Sequence, residues 1–344
     1  MDSLGGKVAL VFPGQGSQFV GMGQALYEAS AAARRVFDQA DEVLGFPLSR
    51  LCFHGPAEEL EDTINAQPAI LTVSIAALEA LKERLAAAGE KVEPAVVAGH
   101  SLGEFTALVA AGAIDFSSGL QLVRERGRLM KEAGEDRPGG MAAVIGLDAE
   151  TLSELCEDAA DGGVITVAND NCPGQSVISG EVAALLRAME LAKERGAKRV
   201  ARLGISIASH SPLMARVSAG LSEIVSRLPL RAPQMPVIAN VSGLAMCSVE
   251  DIRQELAHHV ERPVNWTRSV AEMVNGGATT FIEVGPGQVL SGLIRRINRD
   301  VVTLSLADFG LPANGRDGET ARRRDGKAGD GPGARSQQPI ADSR

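Results

Sequence analysis

The residues best placed to do chemistry are a serine and its neighbours in Gly99-His100-Ser101-Leu102-Gly103. They follow a short apolar run, Ala95 to Ala98, and precede a helix-forming stretch from Glu104 to Ala111. Strand, G-x-S-x-G turn and helix in that order are the context of a nucleophile elbow. The flanking glycines let the chain bend sharply, so that Ser101 carries its hydroxyl at the tip of the turn. The N-terminus of the following helix directs free N–H groups and the positive end of its dipole at the same point, where negative charge would develop.

A serine hydroxyl is a poor nucleophile without a base. Five histidines are available: His54, His100, His210, His258 and His259. His100 lies inside the elbow, where adjacent side chains diverge, and reads as an orienting or packing residue. His54, in a Gly-Pro loop, reads as a surface residue. His210, in Ile207-Ala208-Ser209-His210-Ser211-Pro212, falls where an inserted segment returns to the main body and can face a cleft, so it is preferred to the His258 and His259 pair. A second glycine-rich turn, Phe12-Pro13-Gly14-Gln15-Gly16-Ser17-Gln18, follows the first strand. It lacks the G-K-[ST] of a phosphate loop and the full G-x-G-x-x-G of a dinucleotide site. Its N–H groups can instead form half of an oxyanion hole, with the N–H of Leu102 as the other half.

These turns need a sheet to hold them, and the chain is long enough to supply one. Its 344 residues are 45% hydrophobic, which excludes disorder of the whole chain and suggests one large domain or two ordinary ones. Apolar runs at Val8 to Phe12, Ala95 to Ala98, Val237 to Asn240 and Thr280 to Val284 alternate with amphipathic stretches, the pattern of a parallel sheet covered by helices. Pro68 to Ala88 reads as a mostly buried helix ended by Gly89. Between Gly139 and Leu203 the order is strand (Met141 to Ile145), helix (Ala149 to Ala160), two strands (Val164 to Asn169, Gln175 to Ser179), helix (Glu181 to Arg195) and strand (Arg199 to Leu203). That βαββαβ order is the ferredoxin-like unit, expected as a small lobe over residues 139–206 inserted into a body of residues 1–138 and 207–309.

Composition narrows the function classes. The 34 Lys+Arg and 43 Asp+Glu leave a formal charge of −9, which disfavours nucleic acid and anionic membranes, and only 11 aromatic residues argue against a base-stacking surface. No apolar run approaches the ~18 residues of a spanning helix, and the first residues lack the pattern of a signal peptide, so a cytoplasmic chain is expected. Cys52, Cys156, Cys172 and Cys247 are too scattered for a disulfide framework or a zinc cluster and read as reduced thiols. From residue 310 the composition turns to seven Gly, three Pro and twelve charged residues among 35, a tail expected to be disordered. Its seven basic side chains include the run Arg322-Arg323-Arg324 and outnumber five acidic ones, which puts the body near −11.

At this level the chain resembles a known family, the malonyl-CoA:acyl-carrier-protein transacylases of bacterial fatty-acid synthesis, with the related acyltransferase domains of polyketide synthases. The resemblance runs over residues 7–306. Its motifs occur in order: FPGQGSQ at 12–18, AGHSLGE at 98–104, Arg126-Gly127-x-x-Met130, Asn169-x-Asn171-x-Pro173-x-Gln175 leading to Val177-Ile178-Ser179-Gly180, Ser209-His210-Ser211, Pro263-Val264-x-Trp266 and Glu283-Val284-Gly285-Pro286-Gly287. The resemblance implies an α/β-hydrolase-like body with the ferredoxin-like lobe, Ser101 as acylated nucleophile, His210 as base, and Gln15 and Leu102 as backbone oxyanion donors. It implies that Arg126 holds the free carboxylate of the malonyl group, a task suited to a planar guanidinium with two parallel donors. Without the resemblance Arg126 reads as a surface helix residue between Arg124 and Arg128. His100, Asn171 and Asn240 are implied at the substrate site. Main-chain carbonyls orient the family's histidine; one maps to His259, where the family commonly has glutamine, and the second to Asn240. Ala208, where related domains vary with acyl preference, leaves a methyl-branched extender unit open.

The implied reaction is a ping-pong transfer from malonyl-CoA to the phosphopantetheine thiol of acyl carrier protein, with no metal or redox cofactor and a monomeric enzyme. Carrier proteins are acidic, so docking on this acidic body calls for a local cationic patch, for which Lys193, Arg195, Lys198, Arg199 and Arg202 are candidates against an ordinary solvated face. The alternatives are a serine thioesterase or esterase on the same elbow, a non-catalytic scaffold, and a stand-alone acyltransferase serving a polyketide synthase.

Overall fold

A computed structural model describes residues 6–312 of the chain. Period-two alternation along the first strand, β1 (Lys7–Phe12), sends Leu10 and Phe12 into one apolar layer and Ala9 and Val11 into another. Strands of this kind need cover on both faces. The others, in chain order, are β2 (Val96–Gly99), β3 (Gly139–Ile145), β4 (Ile165–Cys172), β5 (Gln175–Glu181), β6 (Arg199–Arg202), β7 (Val237–Ile238), β8 (Ala245–Met246), β9 (Val264–Asn265), β10 (Ala278–Glu283) and β11 (Val302–Leu304). They form two sheets, β11-β10-β1-β2-β7-β8 and β6-β3-β5-β4-β9.

In the larger sheet every pair is parallel except β7 with β8. Phe12 pairs with Gly99, so the turns that leave β1 and β2 emerge side by side at the carboxyl ends of adjacent strands, where ligands of open α/β sheets bind. One layer packs around the helix Thr63–Ala87, and the other gathers Trp266, Val270 and Phe281. That helix begins five residues earlier than the sequence suggests. Asp62 caps it by accepting from the Ile64 N–H at 3.1 Å, which places Pro68 inside the helix and not at its start. By length and composition Thr63–Ala87 is apolar enough to cross a membrane, which corrects the expectation of no such run. With 83% of its most apolar window buried, it is the core helix of the body.

The segment 139–202 adopts the βαββαβ order, with the helices Ala149–Ala160 and Val182–Glu194 on one face and its own apolar cluster of Val144, Leu152, Leu155, Ile178 and Leu185. The short strand β9, from outside that segment, pairs in parallel with β4 and stitches the lobe to the body. Gly310 caps the last helical turn, and Leu311 still packs on the core, so the fold runs past the expected boundary at 310. The tail from residue 313, with its Arg322-Arg323-Arg324 run, lies outside the described residues.

Candidate active site

Backbone crowding explains the glycines of the elbow. A Cβ on Gly99 would lie 1.8 Å from the carbonyl carbon of Gly103, and one on Gly103 would lie 2.1 Å from the carbonyl oxygen of Phe12. The turn between them holds Ser101 at φ 49°, a left-handed conformation that costs a serine free energy and persists only where the surroundings enforce it. Asn240, two residues past β7, does the enforcing. Its Oδ1 accepts from the Ser101 N–H at 2.6 Å and its Nδ2 donates to the Gly99 carbonyl at 2.7 Å. The Asn240 N–H donates in turn to Oε2 of the fully buried Glu104 at 2.8 Å.

Ser101 Oγ lies 2.8 Å from His210 Nε2. The other ring nitrogen, Nδ1, faces the main-chain carbonyl of Arg262 at 3.1 Å. A carbonyl can only accept, so Nδ1 carries the proton and Nε2 is left to accept from the serine hydroxyl. His210 also sits at a positive φ, 59°, fixed by its N–H donating to the Val260 carbonyl at 2.8 Å. Burial pushes its pKa down to about 3, and the Arg126 charge adds to the shift. The imidazole is therefore neutral and ready to accept a proton.

The carbonyl assignments differ from the sequence reading. The loop after the helix Val249–His258 turns so that the Arg262 carbonyl makes the direct hydrogen bond to the imidazole. The Asn240 carbonyl is taken by the Asn265 N–H at 2.8 Å and does not orient His210. The Asn240 side chain, 1% exposed, engages the elbow through both its polar atoms. The His259 ring is fully buried 3.8 Å from Glu104 Oε2, and neither nitrogen has a hydrogen-bond partner among the described residues. His258 is exposed and pairs with Glu261, and His54 is exposed.

Arg126 is no surface residue. It projects from the helix Phe116–Asp136 and is 1% exposed, with its guanidinium carbon 5.4 Å from the centre of the Phe105 ring. Nη1 donates to Gln67 Oε1 at 2.7 Å, Nη2 lies 3.4 Å from Ser101 Oγ, and Nε has no partner. No carboxylate forms a salt bridge with it among the described residues. Burial pushes its pKa down to about 10, opposed by the charge of Glu104, so it remains a cation. A buried cation without a paired anion is costly, and this one faces the nucleophile.

His100 and Asn171 bond to each other, Nε2 to Oδ1 at 2.8 Å, and His100 packs edge-on against Trp266. Asn171 stands on β4, so this pair joins the elbow to the lobe. Gln15 and Leu102 lie on the adjacent turns, and neither N–H has a hydrogen-bond partner among the described residues. In the cationic patch Lys193 is paired with Glu190, and Arg195 with Asp158 and Glu154, which leaves Lys198 and, on the edge strand β6, Arg199 and Arg202 exposed without an ion pair among the described residues.

The sequence reading assigned no role to Gln67, Thr63, Glu104 or Arg262. Glu104 closes the AGHSLGE motif and was visible there, and Gln67 is a polar residue set before a proline in an apolar helix. The carbonyl of Arg262 leaves no trace in a side-chain pattern.

The acyl transferase domain family model matches residues 9–309. The malonyl CoA-acyl carrier protein transacylase of Bacillus subtilis is 47% identical over 303 residues, 88% of this chain and 94% of that protein. Among solved structures, an acyl carrier protein S-malonyltransferase from Vibrio cholerae superposes with a TM-score of 0.82 at 43% identity, covering 87% of this chain and 96% of that one. A malonyl-transacylase solved with its type II polyketide acyl-carrier protein superposes with a TM-score of 0.83 at 40% identity, covering 87% and 95%. At these identities and coverages, the chain belongs to the malonyl CoA-acyl carrier protein transacylase family of acyl transferases.

Proposed function

We propose that this enzyme transfers a malonyl group from malonyl-CoA to the phosphopantetheine thiol of acyl carrier protein, through an ester on Ser101, and so supplies fatty-acid synthesis. The observation that carries this reading is Arg126: a buried guanidinium with no salt bridge to a carboxylate among the described residues, one nitrogen 3.4 Å from the nucleophile. With Nη1 engaged by Gln67, the Nε and Nη2 edge is left for the free carboxylate of a half-acid.

In the first half-reaction His210 Nε2 takes the hydroxyl proton as Ser101 Oγ attacks the thioester carbonyl. The N–H groups of Gln15 and Leu102 receive the oxyanion, and CoA leaves as the thiol with the proton that His210 returns. In the second, His210 takes the proton of the carrier's thiol, the sulfur attacks the acyl-serine, and Ser101 recovers its proton. The exposed Lys198, Arg199 and Arg202, without an ion pair among the described residues, are the part of the proposed patch left to meet an acidic carrier. The reading extends to a cytoplasmic monomer with two lobes, residues 139–206 and the rest, that binds neither nucleic acid nor membrane; the charge of −9 and the burial of its most apolar helix support it. The likeness to the polyketide transacylase favours a second reading, in which the acceptor is the carrier of a polyketide pathway.

The test is incubation with radiolabelled malonyl-CoA in the absence of carrier, then denaturation and peptide mapping. Label on the Ser101 peptide is expected. Release of free malonate with no protein adduct would assign the site to a hydrolase.

A further inference from the structure

A hydrogen-bond chain leads from the guanidinium to the oxyanion turn. Arg126 Nη1 donates to Gln67 Oε1 at 2.7 Å, Gln67 Nε2 donates to Thr63 Oγ1 at 2.8 Å, and Thr63 Oγ1 donates to Gln15 Oε1 at 3.0 Å. The directions of the first two bonds are fixed by chemistry. Arginine has only donors, so the Gln67 oxygen must face it and its NH2 must face Thr63. Gln15 turns its amide oxygen to Thr63, which donates to it through Oγ1. Gln67 and Thr63 are both buried, which shields the two inner bonds from competing water, while the last bond reaches the exposed Gln15.

Packing sets the chain's register. A Cβ on Gly127 would lie 2.6 Å from the Thr63 carbonyl oxygen, so only glycine lets the Arg126 helix press against the first turn of Thr63–Ala87. One turn further on, Met130 Sδ lies 3.5 Å from Gln67 Nε2. The Arg126-Gly127-x-x-Met130 motif thus serves the chain at all three of its named positions.

We infer that Thr63 is a positioning residue that couples carboxylate capture at Arg126 to the placement of the Gln15 oxyanion donor. The inference rests on the reading of Arg126 as the malonyl clamp. Gln67 holds the guanidinium plane, and Thr63 passes that constraint to the side chain of Gln15, whose N–H stands beside the elbow. The oxyanion exists only in the transition state, so loss of the link acts on the rate of acylation and not on donor binding.

The experiment measures single-turnover acylation of Ser101 by malonyl-CoA, by rapid quench and intact-protein mass spectrometry, in wild type, Thr63→Val, Thr63→Ser, Arg126→Ala and the Thr63→Val/Arg126→Ala double variant. Thr63→Val is expected to lower the saturating rate about tenfold, as for one neutral hydrogen bond, with half-saturation within about twofold of wild type. Thr63→Ser, which keeps the hydroxyl, is expected to restore the rate to within about twofold. In the Arg126→Ala background, where the chain is already cut, Thr63→Val is expected to cost less than about threefold. An unchanged rate in Thr63→Val, a full tenfold loss in the Arg126→Ala background, or no rescue by serine would each overturn the coupling. Should Thr63→Val not fold, Thr63→Ala is read by the same criteria. The underlying reading fails separately, if wild type forms no malonyl adduct or if Arg126→Ala slows malonyl and acetyl donors equally.

Discussion

Ser101 and His210, 109 positions apart in the chain, meet at 2.8 Å with both backbones in the left-handed region. Only one other non-glycine residue among the described ones, Asp161, has a positive φ. Strain is thus concentrated on the two residues whose side chains must face each other. Each is held by a specific neighbour: Asn240 clasps the serine, and the Val260 carbonyl anchors the histidine backbone.

Removing the base should nearly abolish acylation. His210→Ala leaves the Ser101 hydroxyl without a proton acceptor, and general-base assistance is worth about 10²–10⁴-fold. The rate of CoA release from malonyl-CoA is expected to fall within that range. A rate equal to wild type would move the base elsewhere, with the buried ring of His259 the next candidate.

Donor selectivity should reside in Arg126. Arg126→Ala removes a charge-assisted pair worth about 1.5–3 kcal/mol and should lower kcat/KM for malonyl-CoA by roughly 10²-fold. Acetyl-CoA, which has no carboxylate to place, is expected to hold its rate or gain. Comparing the two kcat/KM values in one variant decides the matter.

The pH dependence follows from His210. Its pKa is pushed down to about 3 by burial first and the Arg126 charge second, so the free enzyme keeps a neutral base far below the ordinary histidine value of about 6.5. The acid limb of kcat/KM due to this residue is therefore expected well below pH 6. Arg126→Gln removes the cation and should move the limb upward, whereas a limb near 6.5 in wild type would contradict the buried neutral imidazole. Stability carries the same sign. His100, His210 and His259 all have lowered values, led by burial, so the unfolded chain binds more protons once the pH drops below about 6.5, and the melting temperature should fall with acidification from there.

Asn240→Ala should damage stability and catalysis together. It cuts two bonds to the elbow and leaves the Ser101 N–H and the buried Gly99 carbonyl without these partners, at about 1–3 kcal/mol for each group so stranded. A drop of several degrees in melting temperature together with a lower acylation rate is expected. Full activity at an unchanged melting temperature would mean that the elbow holds its strain unaided.

Much of the fold and part of the site were legible in the sequence because their signals are local. The helix Ala149–Ala160 and the strand, turn and helix around Ser101 follow from periodicity and glycine spacing within a dozen residues. The start of the helix Thr63–Ala87 is masked in the sequence because Pro68 looks like a start signal, while the Asp62 cap that sets it is a bond made only in the fold.

What the sequence by itself determined is which residues are chemically able: a serine on a bent turn, histidines to serve it, an arginine suited to a carboxylate. Which of them meet was decided by the tertiary structure. The β1 and β2 register sets the Gln15 turn beside the elbow, and helix packing at Gly127 brings Arg126 to Gln67 and Thr63, about 60 positions away in the chain. The Arg262 carbonyl was beyond reach for a plain reason: every residue carries a carbonyl, so only its position in space distinguishes the one that orients His210.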